Sequence, residues 1–362
     1  DSFGVMKGKD LIRLFYLVEH NLADNIYIGY HSHNNMQLAY SNAQSLVNIQ
    51  TKRSIIIDSS IFGMGRGAGN LNTELFVQYL NDSFGAEYKL KPLLSIIDEV
   101  LLKFYQVNRW GYSLPNYLSA AHNAHPNYAS YLDEKKTLTV ENMDEIFAMI
   151  PDDKKCSFDK KYIDDLYVRY MARGKIYEDH LVDLKCRLEA KKVLIIAPGK
   201  SVEDEKSKVV ACAGQDNVIS ISINFEYPYC DIDYIFISNL RRFRELDVNK
   251  RQKSIVTSNI PSDEVYLQTN YSDLLNNVES VRDNAGMMLI RLLINLGVKE
   301  ILIAGMDGYS HEASENYADE HMALITRNAV LDAMNQGMTK VLKMYSNESE
   351  IKFLTTPRKV VL

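Results

Sequence analysis

Two histidines stand two residues apart in the stretch IGYHSHNN, where an apolar run ends and a helical pattern begins. In a strand, residues i and i+2 point to the same face, so His31 and His33 would project together with Cα atoms about 6–7 Å apart. Two imidazoles at that spacing can converge on one divalent metal ion, with Mn, Co, Fe, Zn or Mg suiting a mixed nitrogen and oxygen site. The alternative is that both are surface histidines that cap the following helix, a role that Asn34 or Asn35 could also fill without them.

A glycine-rich loop, GMGRGAGN, follows one unit later, between an apolar run and the helical pattern TELFVQYLND. Glycines there permit positive φ and a close approach of the backbone to a ligand. Asn70 ends the loop and could supply an amide oxygen to the metal, although Asn70 or Asn72 could instead cap the next helix. Arg66 lies within the loop and is a candidate contact for an anion or, alternatively, a solvated loop charge.

Apolar strands alternate with helical patterns in two parts of the chain, which indicates parallel βα units. In the first part, strands are expected to end near residues 1, 31 and 58, with helices over Lys9–Leu22, 36–49 and the TELFVQYLND segment. The second part begins at Lys192 with the strand KVLIIA and continues with the strands VISISI, YIFIS and EILIAG. Asp283 or Asn284 is expected to cap the helix AGMMLIRLLINLG of this doubly wound pattern.

The motifs HSHNN and GMGRGAGNLNTE, in that order, resemble the DRE-TIM metallolyase superfamily, in its 4-hydroxy-2-oxovalerate aldolase-like (HMG-CoA lyase-like) branch. The DSFG start and the HPNY stretch are similar to the same branch, so that the resemblance covers roughly residues 1–180. It implies that His31 and His33 bind a divalent metal, with Mn or Mg expected, and that Asn70 either binds the metal weakly or supports the residues that bind it. It also implies an N-terminally truncated barrel, since the acidic ligand and the arginine of the family's first strand find no match.

The fold class that follows is α/β, with a partial TIM barrel, a helical extension and a doubly wound Rossmann-like domain. The expected domains are 1–80 for the last three βα units of the barrel, 81–190 for the helical extension and connector, and 191–362 for the Rossmann-like domain.

The resemblance implies cleavage or formation of a C–C bond in a 4-hydroxy-2-oxo acid through a pyruvate enolate, which the metal stabilises as a Lewis acid. A base must remove the proton of the 4-hydroxyl group. His122 and His125 are candidates by residue type alone, and the alternative is that both serve local capping and packing.

The turn APGKS follows the strand KVLIIA but lacks the spacing of a Walker A motif, because Leu194 stands where the first glycine would be. Its backbone N–H groups, at Gly199, Lys200 and Ser201, could still bind a phosphate, or the turn could be an ordinary strand–helix connection. This region weakly resembles the Rossmann-like domains of sialyltransferase-like and 6-hydroxymethylpterin diphosphokinase-like proteins. By that resemblance, Ser201, Asn224, Asn239 and Asp307 are candidate nucleotide or metal contacts, although each can also be a turn residue.

Composition bounds the function classes that remain. The chain has 362 residues, 46% of them hydrophobic and 24% charged, and a net charge of -6 that disfavours nucleic-acid and membrane surfaces. The four cysteines are dispersed, so that a cytoplasmic location with reduced thiols is expected. The leading hypothesis is a metal-dependent aldolase with a keto-acid substrate, fused to a nucleotide-binding domain, either as a homo-oligomer or with an aldehyde-processing partner. The alternatives are a nucleotide- or nucleotide-sugar-dependent transferase in residues 191–362, beside an inactive barrel remnant, and a non-catalytic interaction module.

Overall fold

The computed structural model describes residues 1–174, 178–319, 322 and 324–362. The chain divides into two compact units, Asp1–Ile163 and Asp164–Leu362. Each unit is α/β in the sense that parallel strands pack against helices. Among the described helices, none combines the length and the hydropathy that crossing a bilayer requires.

The first unit contains a two-stranded parallel sheet. Strand β1 (Ile28–Tyr30) pairs with β2 (Ile55–Ile57), and Tyr30 lies opposite Ile57 at the carboxyl end. Both strands end where the sequence analysis expects them to end, directly before His31 and Asp58. The helices of this unit are α1 (Gly8–Asn21), α2 (Ala39–Val47), α3 (Thr73–Phe84), α4 (Lys91–Ile96), α5 (Leu102–Val107), α6 (Leu114–Ala121), α7 (Pro126–Glu134), α8 (Val140–Ala148) and α9 (Asp152–Lys155), while α10 (Lys160–Met171) spans the unit boundary.

Helix α1 buries one apolar stripe against the sheet. Leu11 and Phe15 are four residues apart, so both lie on the same face of the helix, and both are almost fully buried. On α2, Ala39, Ala43 and Leu46 join the same core, and the two small alanines permit close packing. Burial of this shared face positions the segments that follow β1 and β2.

The second unit is built on a seven-stranded parallel sheet with the order β7-β6-β5-β4-β3-β8-β9. Two of its inner strands, KVLII and YIFI, are almost entirely apolar, as expected for strands that are covered on both faces. The order reverses between β3 and β8, because the chain first builds outward from β3 to β7 and then returns. The strands are β3 (Lys192–Ile196), β4 (Val218–Ile223), β5 (Tyr234–Ile237), β6 (Ser254–Thr257), β7 (Leu267–Thr269), β8 (Glu300–Ala304) and β9 (Glu350–Phe353).

Two helical segments of the second unit begin at the carboxyl edge of its sheet. Helix α16 begins after Asn284, whose Oδ1 accepts the N–H groups of Gly286 and Met287, so of the two caps considered Asn284 is the one observed. The expected helix after APGKS is divided at Glu205 into two shorter helices. The full set is α11 (Glu178–Leu188), α12 (Ser201–Asp204), α13 (Lys206–Ala213), α14 (Leu240–Glu245), α15 (Val248–Arg251), α16 (Ala285–Asn295) and α17 (Asn328–Tyr345).

Candidate metal-binding site

The two histidine rings lie beside each other just beyond the carboxyl end of β1. The ring centroids of His31 and His33 are 5.3 Å apart, and the ring planes are nearly perpendicular at 76°. The Nδ1 atom of His31 lies 3.1 Å from Oδ2 of Asp58, the residue that follows β2. When Nδ1–H donates to this carboxylate, Nε2 of His31 is left with a free lone pair, which is the arrangement that orients histidine ligands in metal sites.

Asn70 faces His33 through an isolated antiparallel bridge between their backbones. Its Nδ2 lies 3.4 Å from the Met64 carbonyl oxygen. Its Oδ1 is buried and has no hydrogen-bond partner among the described residues. A buried amide oxygen without a partner is costly, and a ligand with positive charge would satisfy it. Two imidazoles and one amide oxygen fit a divalent metal, and they are the residues that would hold it.

The donor set is small. Among residues 1–174, 178–319, 322 and 324–362, no three His, Cys, Asp or Glu side chains are arranged to hold a metal ion. A metal held by His31, His33 and Asn70 therefore needs further ligands, which water, substrate oxygens or additional protein groups can supply.

The glycine-rich loop brings Asn70 to this position. Gly69 has φ +77°, and a Cβ there would overlap the Gly63 carbonyl oxygen, which accepts the Asn70 N–H at 3.0 Å. A Cβ at Gly65 would lie only 2.8 Å from Asn70 Nδ2. The loop is also fixed from outside, because Trp110 Nε1 donates to the Phe62 carbonyl at 2.9 Å. Glycine is thus required where the loop folds back on the Asn70 side chain.

The surroundings of the His33 ring favour a neutral imidazole. Burial is the largest cause that lowers the pKa of His33, followed by the charges of His31, the chain amine and Arg66. Burial also lowers the pKa of His125, with the charge of Arg66 as a second cause. Arg66, itself exposed on the loop, therefore acts electrostatically on both histidines. A neutral imidazole is the form that ligates a metal.

His125 and His122 both have local partners. His125 caps α7, since its Nδ1 accepts the Asn127 N–H at 3.1 Å, and its ring lies 5.8 Å from that of Phe3. His122 places Nε2 2.8 Å from Asp144 and stacks on Phe147. These are the capping and packing roles that the sequence analysis set against catalysis. The catalytic assignments of Arg66, His122 and His125 stay predictions.

At the start of the helix that follows the histidine pair, an asparagine supplies a side-chain hydrogen bond. Asn34 Oδ1 accepts the Ala39 N–H at 3.3 Å at the start of α2, and Asn35 is buried. Asn72 precedes α3 without a side-chain cap.

Asp58, which contacts His31, is the site residue that the sequence analysis missed. Its signal was present, because an aspartate directly after β2 occupies the same edge position as His31 after β1.

In the second unit, the APGKS turn is closed by internal hydrogen bonds. The Gly199 N–H donates to the Gly305 carbonyl at 2.9 Å. The Ser201 N–H donates to Asp307 Oδ2 at 2.8 Å, and the Ser201 hydroxyl bonds to the other carboxylate oxygen. Of the three amides considered for a phosphate, those of Gly199 and Ser201 are therefore already bonded within the protein. The carboxylate of Asp307, whose pKa is raised by burial, takes the position expected for the anion.

The two asparagines of this region follow neighbouring strands. Asn224, after β4, has φ +59°, and its Oδ1 accepts the Ser238 N–H at 3.2 Å. Asn239, after β5, caps α14 by accepting the Arg241 N–H at 2.9 Å. Both serve as turn or cap residues. Their predicted ligand contacts stay predictions.

Comparison with known proteins bears on the first unit. Residues 1–100 match the HMGL-like family model. A 4-hydroxy-2-oxovalerate aldolase of Geobacillus genomosp. 3 is 38% identical over 106 residues, which are 26% of this chain and 30% of that protein. The enzyme of the same name from Alkalilimnicola ehrlichii is 34% identical over 77 residues, 21% of this chain and 22% of that protein.

A second Geobacillus protein with this name, from G. thermodenitrificans, is 30% identical over 109 residues, which are 30% of each chain. The chain therefore spans less than a third of the length of these relatives. The matched region is similar to an enzyme family of lyases and aldolases, and the match includes the HSHNN motif and the glycine-rich loop.

Proposed function

We propose that the first unit is the metal-binding part of a divalent-metal-dependent aldolase that cleaves or forms a C–C bond of a 4-hydroxy-2-oxo acid. The observation that carries the proposal is the pairing of His31 and His33 with the partnerless Oδ1 of Asn70. The similarity to 4-hydroxy-2-oxovalerate aldolases over the same residues supports the substrate class. Mn or Mg is the proposed ion, since both accept mixed imidazole and oxygen ligands.

The roles of the individual side chains follow from their contacts. His31 and His33 would hold the metal through neutral imidazoles, with Asp58 orienting His31 and Asn70 adding an oxygen. The bound metal would supply Lewis acidity toward the keto and carboxylate oxygens of the substrate. Arg66 would attract the substrate carboxylate, because its charge already reaches His33. His125 remains a candidate for proton transfer near this loop.

The proposed architecture around this site is an eight-unit TIM barrel, of which residues 1–80 would be the last three units. β1 and β2, with the helices that follow them, are two of these three. In such a barrel, catalytic groups gather at the carboxyl ends of several strands. His31 and Asp58 have that position on β1 and β2. An acidic ligand and an arginine from another strand would complete the site.

Calorimetric titration of the full chain with Mn²⁺ tests the proposal. We expect one site that is lost in H31A and in H33A and retained in H20A, which changes an exposed histidine of α1. Exchange of the methyl protons of pyruvate with deuterium, followed by NMR, tests the enolate chemistry with the same variants. Wild-type protein that binds no divalent metal, or metal binding that persists in both H31A and H33A, would refute the assignment.

For the second unit we infer a nucleotide-binding role, because a cavity lies at the carboxyl edge of its sheet where the strand order reverses. This is the position at which open parallel sheets bind ligands. Stabilisation of the chain against heat by a nucleotide, unchanged in H31A and H33A, would support this role. If the chain also binds no metal, the same result would favour the alternative of a nucleotide- or nucleotide-sugar-dependent transferase. A cytoplasmic location accords with the four free cysteines.

A further inference from the structure

Phe62 has a left-handed backbone conformation, with φ 57° and ψ 22°. This conformation is unfavourable for a residue with a Cβ, because the Cβ approaches the following carbonyl oxygen too closely. It persists only where surrounding contacts hold it, and such residues cluster at functional sites. Phe62 directly precedes the glycine-rich loop, whose last residue is Asn70. The contacts that hold Phe62 therefore bear on the path of that loop.

Two side chains hold the backbone of Phe62 from opposite sides. The Phe62 N–H donates to Oε2 of Glu74 at 2.9 Å, and the Phe62 carbonyl accepts Nε1–H of Trp110 at 2.9 Å. The other carboxylate oxygen of Glu74 accepts Nδ2 of Asn72 at 3.1 Å, which orients the carboxylate. Both backbone polar groups of Phe62 are thus paired with side chains that lie outside the loop.

The rings around Phe62 support the same conformation. The Phe62 ring packs edge-on against Tyr105 and Trp110, with centroids 5.4 and 5.9 Å away. Trp110 is largely buried. The next residue along the chain, Gly111, donates its N–H to the Gly67 carbonyl at 3.1 Å. The segment that carries Trp110 therefore holds the glycine-rich loop at two carbonyl groups.

Gly63 connects this arrangement to Asn70. Gly63 follows Phe62, also has positive φ, and accepts the Asn70 N–H on its carbonyl oxygen at 3.0 Å. A Cβ at Gly69 would overlap that carbonyl and would lie 3.3 Å from Cδ1 of Trp110. The Phe62 conformation sets the direction in which Gly63 continues, and the Gly63 carbonyl in turn fixes the backbone of Asn70. The Oδ1 of Asn70, buried and without a partner in the described part of the chain, is positioned as a result.

We propose that Glu74 and Trp110 are positioning residues of the candidate metal site. They hold Phe62 in its left-handed conformation and thereby hold Asn70 beside His33 as an oxygen ligand. The inference rests on the proposed metal-binding function of the first unit. Neither residue touches the ion or the substrate, and both act through Asn70.

Calorimetric titration of the full chain with Mn²⁺ tests the roles of both residues. W110F keeps an aromatic ring but loses the N–H donor, and E74A loses the acceptor for the Phe62 N–H. Each should weaken Mn²⁺ binding about tenfold, the lower end of the effect of residues that support metal ligands. E74Q keeps an oxygen for the Phe62 N–H and should bind almost as the wild type does. Y79F is the control, since it removes an aromatic hydroxyl on α3 that is bonded to Asn48, outside the loop.

A double-mutant cycle distinguishes positioning of Asn70 from a general effect on the fold. The double variant N70A/W110F should bind Mn²⁺ with the same affinity as N70A, because Trp110 acts only through that side chain. Circular dichroism establishes that each variant is folded at the temperature of the titration, where a residue that only stabilises the fold would leave the affinity unchanged.

Two results would overturn the positioning role alone. One is wild-type affinity in W110F and E74A, and the other is a loss in W110F that is equally large with and without Asn70. In both cases the loss of Mn²⁺ binding in H31A and H33A would leave the proposed function standing. Wild-type protein that binds no Mn²⁺ would refute the proposed function, and the positioning role with it.

Discussion

His33 and Asn70 lie opposite each other in an isolated antiparallel bridge that joins the segment after β1 to the end of the glycine-rich loop. The bridge is reinforced by the Asn34 N–H, which donates to the Gly69 carbonyl at 2.9 Å. Backbone pairing therefore fixes the distance between an imidazole and a buried amide oxygen without using either side chain. The His33 imidazole and the Oδ1 atom of Asn70 remain available for a ligand.

Replacement of Asn70 by alanine should weaken Mn²⁺ binding about tenfold, the lower end of the effect of residues that support a metal site. The reason is that the partnerless Oδ1 would be removed while the backbone bridge to His33 stays. Calorimetric titration measures the change. N21A, which removes an exposed amide on α1, is the control and should bind as the wild type does. Equal affinities for N70A and N21A would exclude Asn70 from the site.

Gly69→Ala should lower the free energy of unfolding of the first unit by more than Gly85→Ala. Both glycines have positive φ, which costs an alanine about 1–2 kcal/mol. Only at Gly69 would the added Cβ also meet the Gly63 carbonyl, whereas nothing lies near a Cβ at Gly85. Trp110, the single tryptophan, lies beside Gly69, so its fluorescence in a urea titration reports this unit. Equal losses of unfolding free energy in the two variants would show that the loop shifts to accommodate a Cβ at residue 69.

Lowering the pH through about 6.5 should destabilise the first unit partly through His125. Burial and the charge of Arg66 lower its pKa in the folded state, so the unfolded chain binds the proton more readily. The contribution is therefore fully present above 6.5, the usual value, and is lost as the pH falls toward the lowered value. Urea titrations at several pH values, followed by Trp110 fluorescence, measure it.

Two substitutions separate this titration from the capping of α7 by the His125 side chain. H125N retains a good cap and should flatten the pH dependence below 6.5. H125A should in addition lose about 1 kcal/mol at every pH, because the Asn127 N–H loses its partner. A pH dependence that H125N leaves as steep as in the wild type would contradict the prediction.

Ser201→Ala should destabilise the second unit by about 1.5–3 kcal/mol, because it removes a buried hydroxyl that bonds to the Asp307 carboxylate. Thermal unfolding followed by circular dichroism gives the magnitude, without any added ligand. S346A removes an exposed hydroxyl at the end of α17 and should change stability by less than about 0.5 kcal/mol. If S201A loses no more stability than S346A, the Ser201–Asp307 bond does not stabilise the unit, and Ser201 would again be a candidate for contact with a ligand.

The parts of the fold that could be predicted from the sequence are those that a local pattern of residues determines. β1, β3 and α16 were predicted close to their observed limits, since apolar runs and the Asn284 cap act over a few residues. β6, β7 and β9 were missed, because Ser254–Thr257, Leu267–Thr269 and Glu350–Phe353 are only three or four residues long. The pairing of β7 with β6 and of β9 with β8 is a tertiary interaction that no local pattern encodes.

For the candidate site, residue types and spacing identified groups that the fold does bring together, but not their partners. The period of a strand predicted that His31 and His33 would be neighbours, and their rings do lie side by side, although both residues follow the end of β1. The contact of His31 with Asp58 depends on the parallel register of β1 and β2, which the sequence does not specify. Likewise, the closure of the APGKS turn by Asp307 joins positions far apart in the chain.

The hydroxyl of Thr355 joins this same closure, because it lies 2.8 Å from the Ser201 hydroxyl and accepts the Gly305 N–H at 2.9 Å. A chain emerging from the ribosome exposes Ser201 long before Thr355. Until residue 355 has emerged, the buried groups at the ends of β3 and β8 lack one of their partners. The seven-stranded sheet therefore stays incomplete until β9 and Thr355 have emerged, and shorter stalled chains would carry an unfinished sheet for chaperones to recognise.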